Sequence, residues 1–325
     1  MKIDAQAFAS KLSAADDILI LTHEQPDGDA LGGSFALLSA LRKLGKRCAV
    51  RYSGECPRNM EYITAVVPAG GVEQPALLVA VDVADLKLLG DDWMRYEGRI
   101  DLCADHHTSN TFYAKDTYLE DVSAASELVL NIIRELGIKP DAYIAACIYT
   151  GISTDTGCFR YPNTTARTLR TAADMIDLGA DTDSINKLMF ETKTKSFIAL
   201  ERLANDSLEL HFGGKCALIT ITRRMFVQSG AHESECHPIT ASSRQIEGVL
   251  VGVVLKEQRD GSFNVSVRTN GDISAALICA GMGGGGHKNA AGCELDGSLE
   301  QIKLLILKNV GAMLDSEGYD GISDL

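Results

Sequence analysis

The sequence predicts an α/β protein in two parts: a parallel sheet clothed in helices comes first, and a smaller unit of antiparallel strands and helices follows from about residue 210. Three observations predict this. Short apolar runs recur at residues 18–21 (ILIL), 76–81 (ALLVAV) and 100–104 (IDLCA), and the first two are unbroken, as in strands covered on both faces. Helical apolar stripes, such as Leu31, Phe35, Leu38 and Leu41, separate or follow them. At 325 residues the chain also favours two domains over one.

Composition narrows the function classes. A formal net charge of -13 argues against a grip on long nucleic acid, which needs basic stripes, so a nucleotide partner should be small and locally held. Nine cysteines lack CxxC or zinc-finger spacing, and most read as apolar fillers in a reducing compartment. The N-terminal MKIDAQAFASKLSAADD carries acids and no long apolar stretch, unlike a signal peptide, and no run approaches the roughly 18 apolar residues of a membrane span. The expectation is a cytoplasmic protein with no membrane partner.

Taken in order, residues 4–14 read as an amphipathic helix, 18–21 as the first strand and 28–44 as a helix closed by Gly45. Between strand and helix lie His23, Asp27 and Asp29, with Pro26 and Gly28 enforcing a turn; ligands collect at this end of parallel strands. Imidazole with carboxylates suits a borderline-hard ion such as Mn²⁺, although an aspartate here also suits a helix cap. Residues 47–52 (RCAVRY) give a second strand, and the Gly- and Pro-punctuated 53–75 a loop with a short helix near Met60. The strand over 76–81 ends in Asp82, which could alternatively cap a helix near Leu86, and the strand over 100–104 ends in Asp105, His106 and His107. Adjacent histidines beside an acid are costly to bury without a ligand or proton partner. A helix over 123–137 takes Ser123 as its cap, and a buried apolar helix over 141–152 leads to Asp155.

Helices follow at 164–178, 181–190 and 193–206, the last a candidate exposed connector. Strands at 216–222 and 249–255, a hairpin turn at Arg259-Asp260-Gly261 and a strand at 262–269 begin the second part. A helix over 273–280, the run Gly281-Met282-Gly283-Gly284-Gly285-Gly286-His287, a strand near 292–295 and a helix over 299–314 complete it. Glycines let backbone N–H groups approach a phosphate, with Arg268 and His287 adding donors; a flexible loop and a solvated edge charge are the plainer alternatives. The tail EGYDGISDL reads as loose.

His23, Asp27, Asp29, Asp82, Asp105, His106, His107 and Asp155 are too many donors for one hydrated Mg²⁺ and about right for two ions bridged by a carboxylate. Such a pair suits in-line phosphoryl displacement, hence hydrolysis of a phosphate ester or anhydride.

The THEQPDGDALGGS loop, the isolated Asp82, the literal Asp105-His106-His107 triplet and the Asp155 segment, in that order, resemble the motifs of the DHH phosphoesterase superfamily. GGGGHKNAAG resembles the signature of its DHH-associated domain, so the likeness covers nearly the whole chain. The one departure is a second glycine, Gly32 and Gly33, before Ser34. The resemblance implies a parallel-sheet domain over 1–190, a helical linker over 191–207 and a substrate-binding domain over 208–325, with a cleft between domains. It implies two Mn²⁺, with Mg²⁺ as the alternative: one held by His23, Asp27 and Asp82, the other by Asp29, Asp82, His106 and Asp155. His107 would face the substrate phosphate, Asp105 would orient the histidines, and Arg268, His287, Gly284, Gly285 and Gly286 would hold a terminal phosphate or nucleotide. The implied activity is that of the nanoRNase and pAp phosphatase group, acting on short RNA. Cyclic-di-AMP hydrolysis, pyrophosphatase activity and an inactive nucleotide-binding regulator are the alternatives, and a homodimer is left open.

Overall fold

The structure is a computed structural model that describes residues 1–319; residues 320–325, which hold most of the expected loose tail, lie outside the described residues. The chain divides into two compact units, Met1–Thr192 and Lys193–Leu325.

In the first unit five strands, β1 (Ile18–Leu21), β2 (Cys48–Arg51), β3 (Leu77–Val81), β4 (Leu102–Asp105) and β5 (Asp116–Leu119), pair in parallel in the order β2-β1-β3-β4-β5. Alternate residues of β1 serve opposite cores, which is why the run is apolar throughout. Ile18 and Ile20 pack with Phe8, Leu31, Phe35, Leu128 and Ile148 from the helices α1 (Ala5–Ala14), α2 (Gly28–Lys43), α3 (Ala125–Glu135) and α4 (Ala142–Asp155). Leu19 and Leu21 pack on the other face with Leu86, Leu89 and Tyr96, from the short helical turns Leu86–Asp92 and Trp93–Tyr96. In this strand order the crossovers reverse direction between β1 and β3, the place where open α/β sheets bind ligands.

The edge strand β5 was not expected, because DTYL is short and half polar. Helix α4 runs three residues past the expected end, so that Asp155 is its last residue rather than part of the following loop. Contact between α2 and α4 is close enough to demand glycine. A Cβ on Gly32 would overlap the Cys147 carbonyl oxygen, and one on Gly151 would sit 2.6 Å from Asp29 Oδ1.

The second unit carries a six-stranded sheet of β6 (Glu209–His211), β7 (Cys216–Ile221), β8 (Val251–Glu257), β9 (Phe263–Thr269), β10 (Gly285–His287) and β11 (Ala290–Leu295), in the order β10-β11-β9-β8-β7-β6. It is mixed rather than antiparallel, since β7 and β8 pair in parallel. The intervening chain, with helices Arg223–Ser229 and His237–Ser242, makes the crossover that parallel pairing requires. Helix Lys195–Asp206 is not an exposed connector: Phe197, Leu200 and Ala204, on one face by their spacing, pack with Ile219, Ile221 and Val254 of this unit.

Candidate metal centre

The carboxyl ends of β1, β3 and β4, the start of α2 and the end of α4 bring six predicted donors together. After β1 the Thr22 hydroxyl donates to Val81 O at 2.9 Å, tying the His23 loop to the end of β3. Asp27 is the N-cap of α2, its Oδ1 accepting from Asp29 N and Ala30 N at 3.0 Å each, and it also lies 3.9 Å from His23 Nε2. The capping and ligating readings of this residue are thus compatible, since a capped carboxylate keeps lone pairs to spare.

Asp82 is buried and left-handed, with φ of 59°, a conformation that aspartate tolerates better than most residues but that still costs energy. Its N–H donates to Ala104 O at 2.9 Å, which fixes the turn against β4. The helical turn beyond is capped by Asp85, which leaves Asp82 out of the capping role weighed for it. Its two oxygens face different neighbours: Oδ2 lies 3.8 Å from His23 Nε2, and Oδ1 lies 3.6 Å from His106 Nε2. Oδ1 is buried without a hydrogen bond among the described residues.

His106 Nδ1 lies 3.0 Å from Val122 O, so that nitrogen carries the proton and the lone pair stays on Nε2. That nitrogen lies 3.4 Å from Asp155 Oδ2 and 3.9 Å from Asp29 Oδ2. Asp29 also serves a second helix. Its carboxylate accepts from Ala125 N at 2.6 Å and Ser126 N at 2.9 Å, so it caps α3 from another helix, while Ser123, the expected cap, donates to Asn163 O. Asn163 Nδ2 in turn donates to Ser123 O and to Asp155 O, at 3.2 and 3.1 Å.

Buried Asp105 accepts from His107 Nδ1 at 2.8 Å and from Asn110 Nδ2 at 2.6 Å. Although burial opposes ionisation, these bonds hold the carboxyl below its usual range. The bond to Asp105 leaves the His107 lone pair on Nε2, in a ring about one-third exposed. Asn163 and the Val122 carbonyl act through backbone atoms and leave no local pattern, whereas Asn110, five residues after Asp105, carries only the faint signal of an amide close to the triplet.

Repulsion dominates the rest. Burial and the Asp29, Asp27 and Asp155 carboxylates hold Asp82 far above the usual carboxylate range. Burial and the Asp29 and Asp27 charges push Asp155 up to about 8, and burial raises Asp29 against the pull of His106. A cation would relieve this. His23, Asp27 and Asp82 form one group of donor atoms within 4.8 Å of one another; Asp29, His106 and Asp155 form a second, and Asp82, His106 and His107 a third. The orphaned Oδ1 of Asp82 and the nitrogen and oxygen donors fit Mn²⁺ or Mg²⁺ better than a thiolate-seeking metal.

In the second unit Arg268 pairs with Ala290 and Ala290 with His287, so the three residues form one row on one face of β9, β11 and β10. It is the face opposite the apolar Val265 and Val267. Gly285 and Gly286 belong to the edge strand β10 rather than to a loop, and a Cβ on Gly286, with φ of 146°, would meet Ala290 O at 2.6 Å.

Residues 17–152 match the DHH family, N-terminal domain, and residues 214–312 the DHHA1 domain. The bifunctional oligoribonuclease and PAP phosphatase NrnA of Thermus thermophilus is 34% identical over 313 residues, which span 93% of this chain and 91% of that protein. The cyclic-di-AMP phosphodiesterase GdpP of Geobacillus thermodenitrificans is 24% identical over 317 residues, 90% of this chain and 47% of that one. An exopolyphosphatase-related protein from Bacteroides fragilis has the same fold, with a TM-score of 0.87 at 22% identity over 95% of this chain and 96% of that chain.

Proposed function

Because this chain belongs to the DHH family of phosphoesterases and carries a DHHA1 domain, we propose that it is a Mn²⁺-dependent hydrolase of short oligoribonucleotides and of pAp. The observation that carries the proposal is Asp82, whose two oxygens face two separate donor groups. In this reading His23, Asp27 and Asp82 hold one ion and Asp29, Asp82, His106 and Asp155 the other, with Asp82 between them. Two bound ions would supply an activated water and neutralise charge on the phosphoryl oxygens.

The chain's own side chains do the remaining work. Asp105, kept ionised by its hydrogen bonds, fixes the orientation of the His107 ring, which faces the substrate phosphate in this reading. Val122 O aims His106 Nε2 inward, and the α3 amides aim Asp29. Arg268, His287 and the backbone of Gly284 to Gly286 hold the substrate's further phosphate or nucleotide; the strand row that Arg268 and His287 share supports this. Nine thiols with no disulfide among the described residues support a reducing, cytoplasmic setting.

The likeness to GdpP over 90% of this chain supports cyclic-di-AMP hydrolysis as a second reading. Chromatographic product analysis with Mn²⁺ on pAp, di- to pentaribonucleotides, cyclic-di-AMP and pyrophosphate tests both. The expected result is AMP from pAp and mononucleotides from the short RNAs. Turnover of cyclic-di-AMP alone would replace the first reading with the second.

A further inference from the structure

On the face of the first sheet opposite α2, a cavity of about 190 Å³ opens beside the edge strand β2, apart from the metal donors. Leu19, Val72 and Tyr96 form its apolar wall, and Arg51, Arg95 and Arg99 line the rest. Several arginines elsewhere on this acidic protein meet acids: Arg47 pairs with Asp17, Arg134 with Asp174, Arg167 with Glu120 and Arg223 with Glu233. Among the described residues, no ion pair reaches Arg51, Arg95 or Arg99. Their hydrogen-bond and ring partners are uncharged. Arg51 Nη1 donates to Tyr96 Oη at 3.1 Å, Arg99 Nη1 donates to Arg95 O at 3.2 Å, and the Arg95 guanidinium lies 5.9 Å from the centre of the Tyr96 ring.

Glu73 also lines the cavity, so three guanidiniums against one carboxylate leave two positive charges in excess. In a chain with a net charge of -13, that local excess is a departure from the prevailing field. The geometry points to an anion subsite for the phosphate group of a small molecule, either orthophosphate or a phosphomonoester. Guanidinium forks match phosphate oxygens two at a time, and the Tyr96 hydroxyl fixes one fork in advance. The space equals roughly six waters at ~30 Å³ each, enough for a phosphate together with part of the group it is esterified to, which the apolar wall would cover.

The test uses the full chain treated with a chelator, so that the metal centre holds no phosphate, and titrates it calorimetrically with orthophosphate, AMP and adenosine. Wild type should bind AMP or orthophosphate and ignore adenosine. Each lost charge-assisted contact costs about 10-fold in affinity, so Arg95→Gln/Arg99→Gln should bind about 100-fold more weakly. Its Mn²⁺-dependent turnover should stay within about two-fold, since neither residue touches the donor groups. Both side chains are exposed, so the fold should tolerate the change. Tyr96→Phe, which frees Arg51 without removing charge, should cost a few-fold. Equal affinity for the three ligands in turn identifies nothing about phosphate and overturns the proposal, as does the absence of binding in wild type. Unchanged affinity in the double variant, or loss of binding in Arg268→Ala, would also overturn it by placing the phosphate elsewhere. Tight orthophosphate binding lost in the double variant makes free phosphate the source; a preference for AMP makes it a phosphomonoester.

Discussion

In the proposed function the end of the first sheet and the glycine edge of the second would each meet a phosphate-bearing ligand, and they are built for it in opposite ways. At the sheet end, buried carboxylates are forced together until Asp82 and Asp155 resist ionisation; Ala125 and Ser126 amides hold the Asp29 carboxylate, Asn163 donates to the Asp155 carbonyl, and the Val122 carbonyl accepts from His106. At the glycine edge, side chains are removed and a guanidinium and an imidazole share one row of the sheet. One region stores repulsion that a cation can release; the other offers donors with little strain. Substitutions should therefore have large and opposed effects on stability and activity in the first region, and modest effects on affinity alone in the second.

The largest expected effect comes from Asp82→Asn. Asparagine keeps the left-handed backbone and the shape but loses the charge, so hydrolysis of every substrate should fall roughly 1000-fold or more, the few kcal/mol that bound metal contributes to the transition state. The metal-free variant should melt higher than metal-free wild type, because a repelled carboxylate is gone. A variant that retains activity would show that Asp82 is not shared between ions. Next, His106→Ala should lose bound Mn²⁺, measured by atomic absorption, whereas His107→Ala should keep it and lose turnover by about 10- to 150-fold, the equivalent of one charge-assisted hydrogen bond to the substrate phosphate. Equal metal loss would make both histidines ligands, which the third donor group permits.

A smaller effect is expected in the second unit. Arg268→Ala should cost about 10- to 150-fold in kcat/KM on pAp and 5′-phosphorylated dinucleotides, the equivalent of one charge-assisted hydrogen bond, and leave a nitrophenyl phosphodiester unchanged. A uniform loss would move Arg268 to the reacting centre and erase the contrast between regions. The mildest test is thermal. Carboxylates whose folded pKa is raised stabilise the fold below the unfolded value near 4 and lose that contribution as pH rises through the folded value, about 8 for Asp155. Calorimetry of the metal-free chain should thus show Tm falling between pH 5 and pH 8. Saturating Mn²⁺ at about 100 times its Kd should add about 2.7 kcal/mol, or roughly 5–10 °C for a unit of this size, and flatten the slope. A flat profile without metal would mean that the carboxylates do not repel one another as the geometry indicates.

Much of the first region is legible in the sequence because its donors follow apolar runs: β1, β3 and β4 are buried on both faces, so the polar residues that end them stand out. What escapes is non-local. Ser123 has the look of a cap, but the carboxylate that caps α3 comes from Asp29, 96 positions before Ala125. Strand β5 escapes because an edge strand opening on Asp116 and Thr117 carries no apolar signature. In the second unit, the parallel pairing of β7 with β8 depends on a crossover whose short helices, Arg223–Ser229 and His237–Ser242, are too brief for periodicity to show. The glycine run has no side-chain pattern at all, so its place as strand β10 rests wholly on backbone pairing with β11.

The borrowed cap on α3 has a practical consequence. The amide protons of Ala125 and Ser126 point at the two oxygens of Asp29, 2.6 and 2.9 Å away, so any event that draws electron density from that carboxylate weakens their bonds. Those protons form a built-in spectroscopic gauge. Their resonances should move when the neighbouring charge changes, and their exchange with deuterium should quicken if Asp29 turns away, long before the rest of α3 opens. Two backbone signals would then report the loading of the centre in solution, with no substrate added and no label attached.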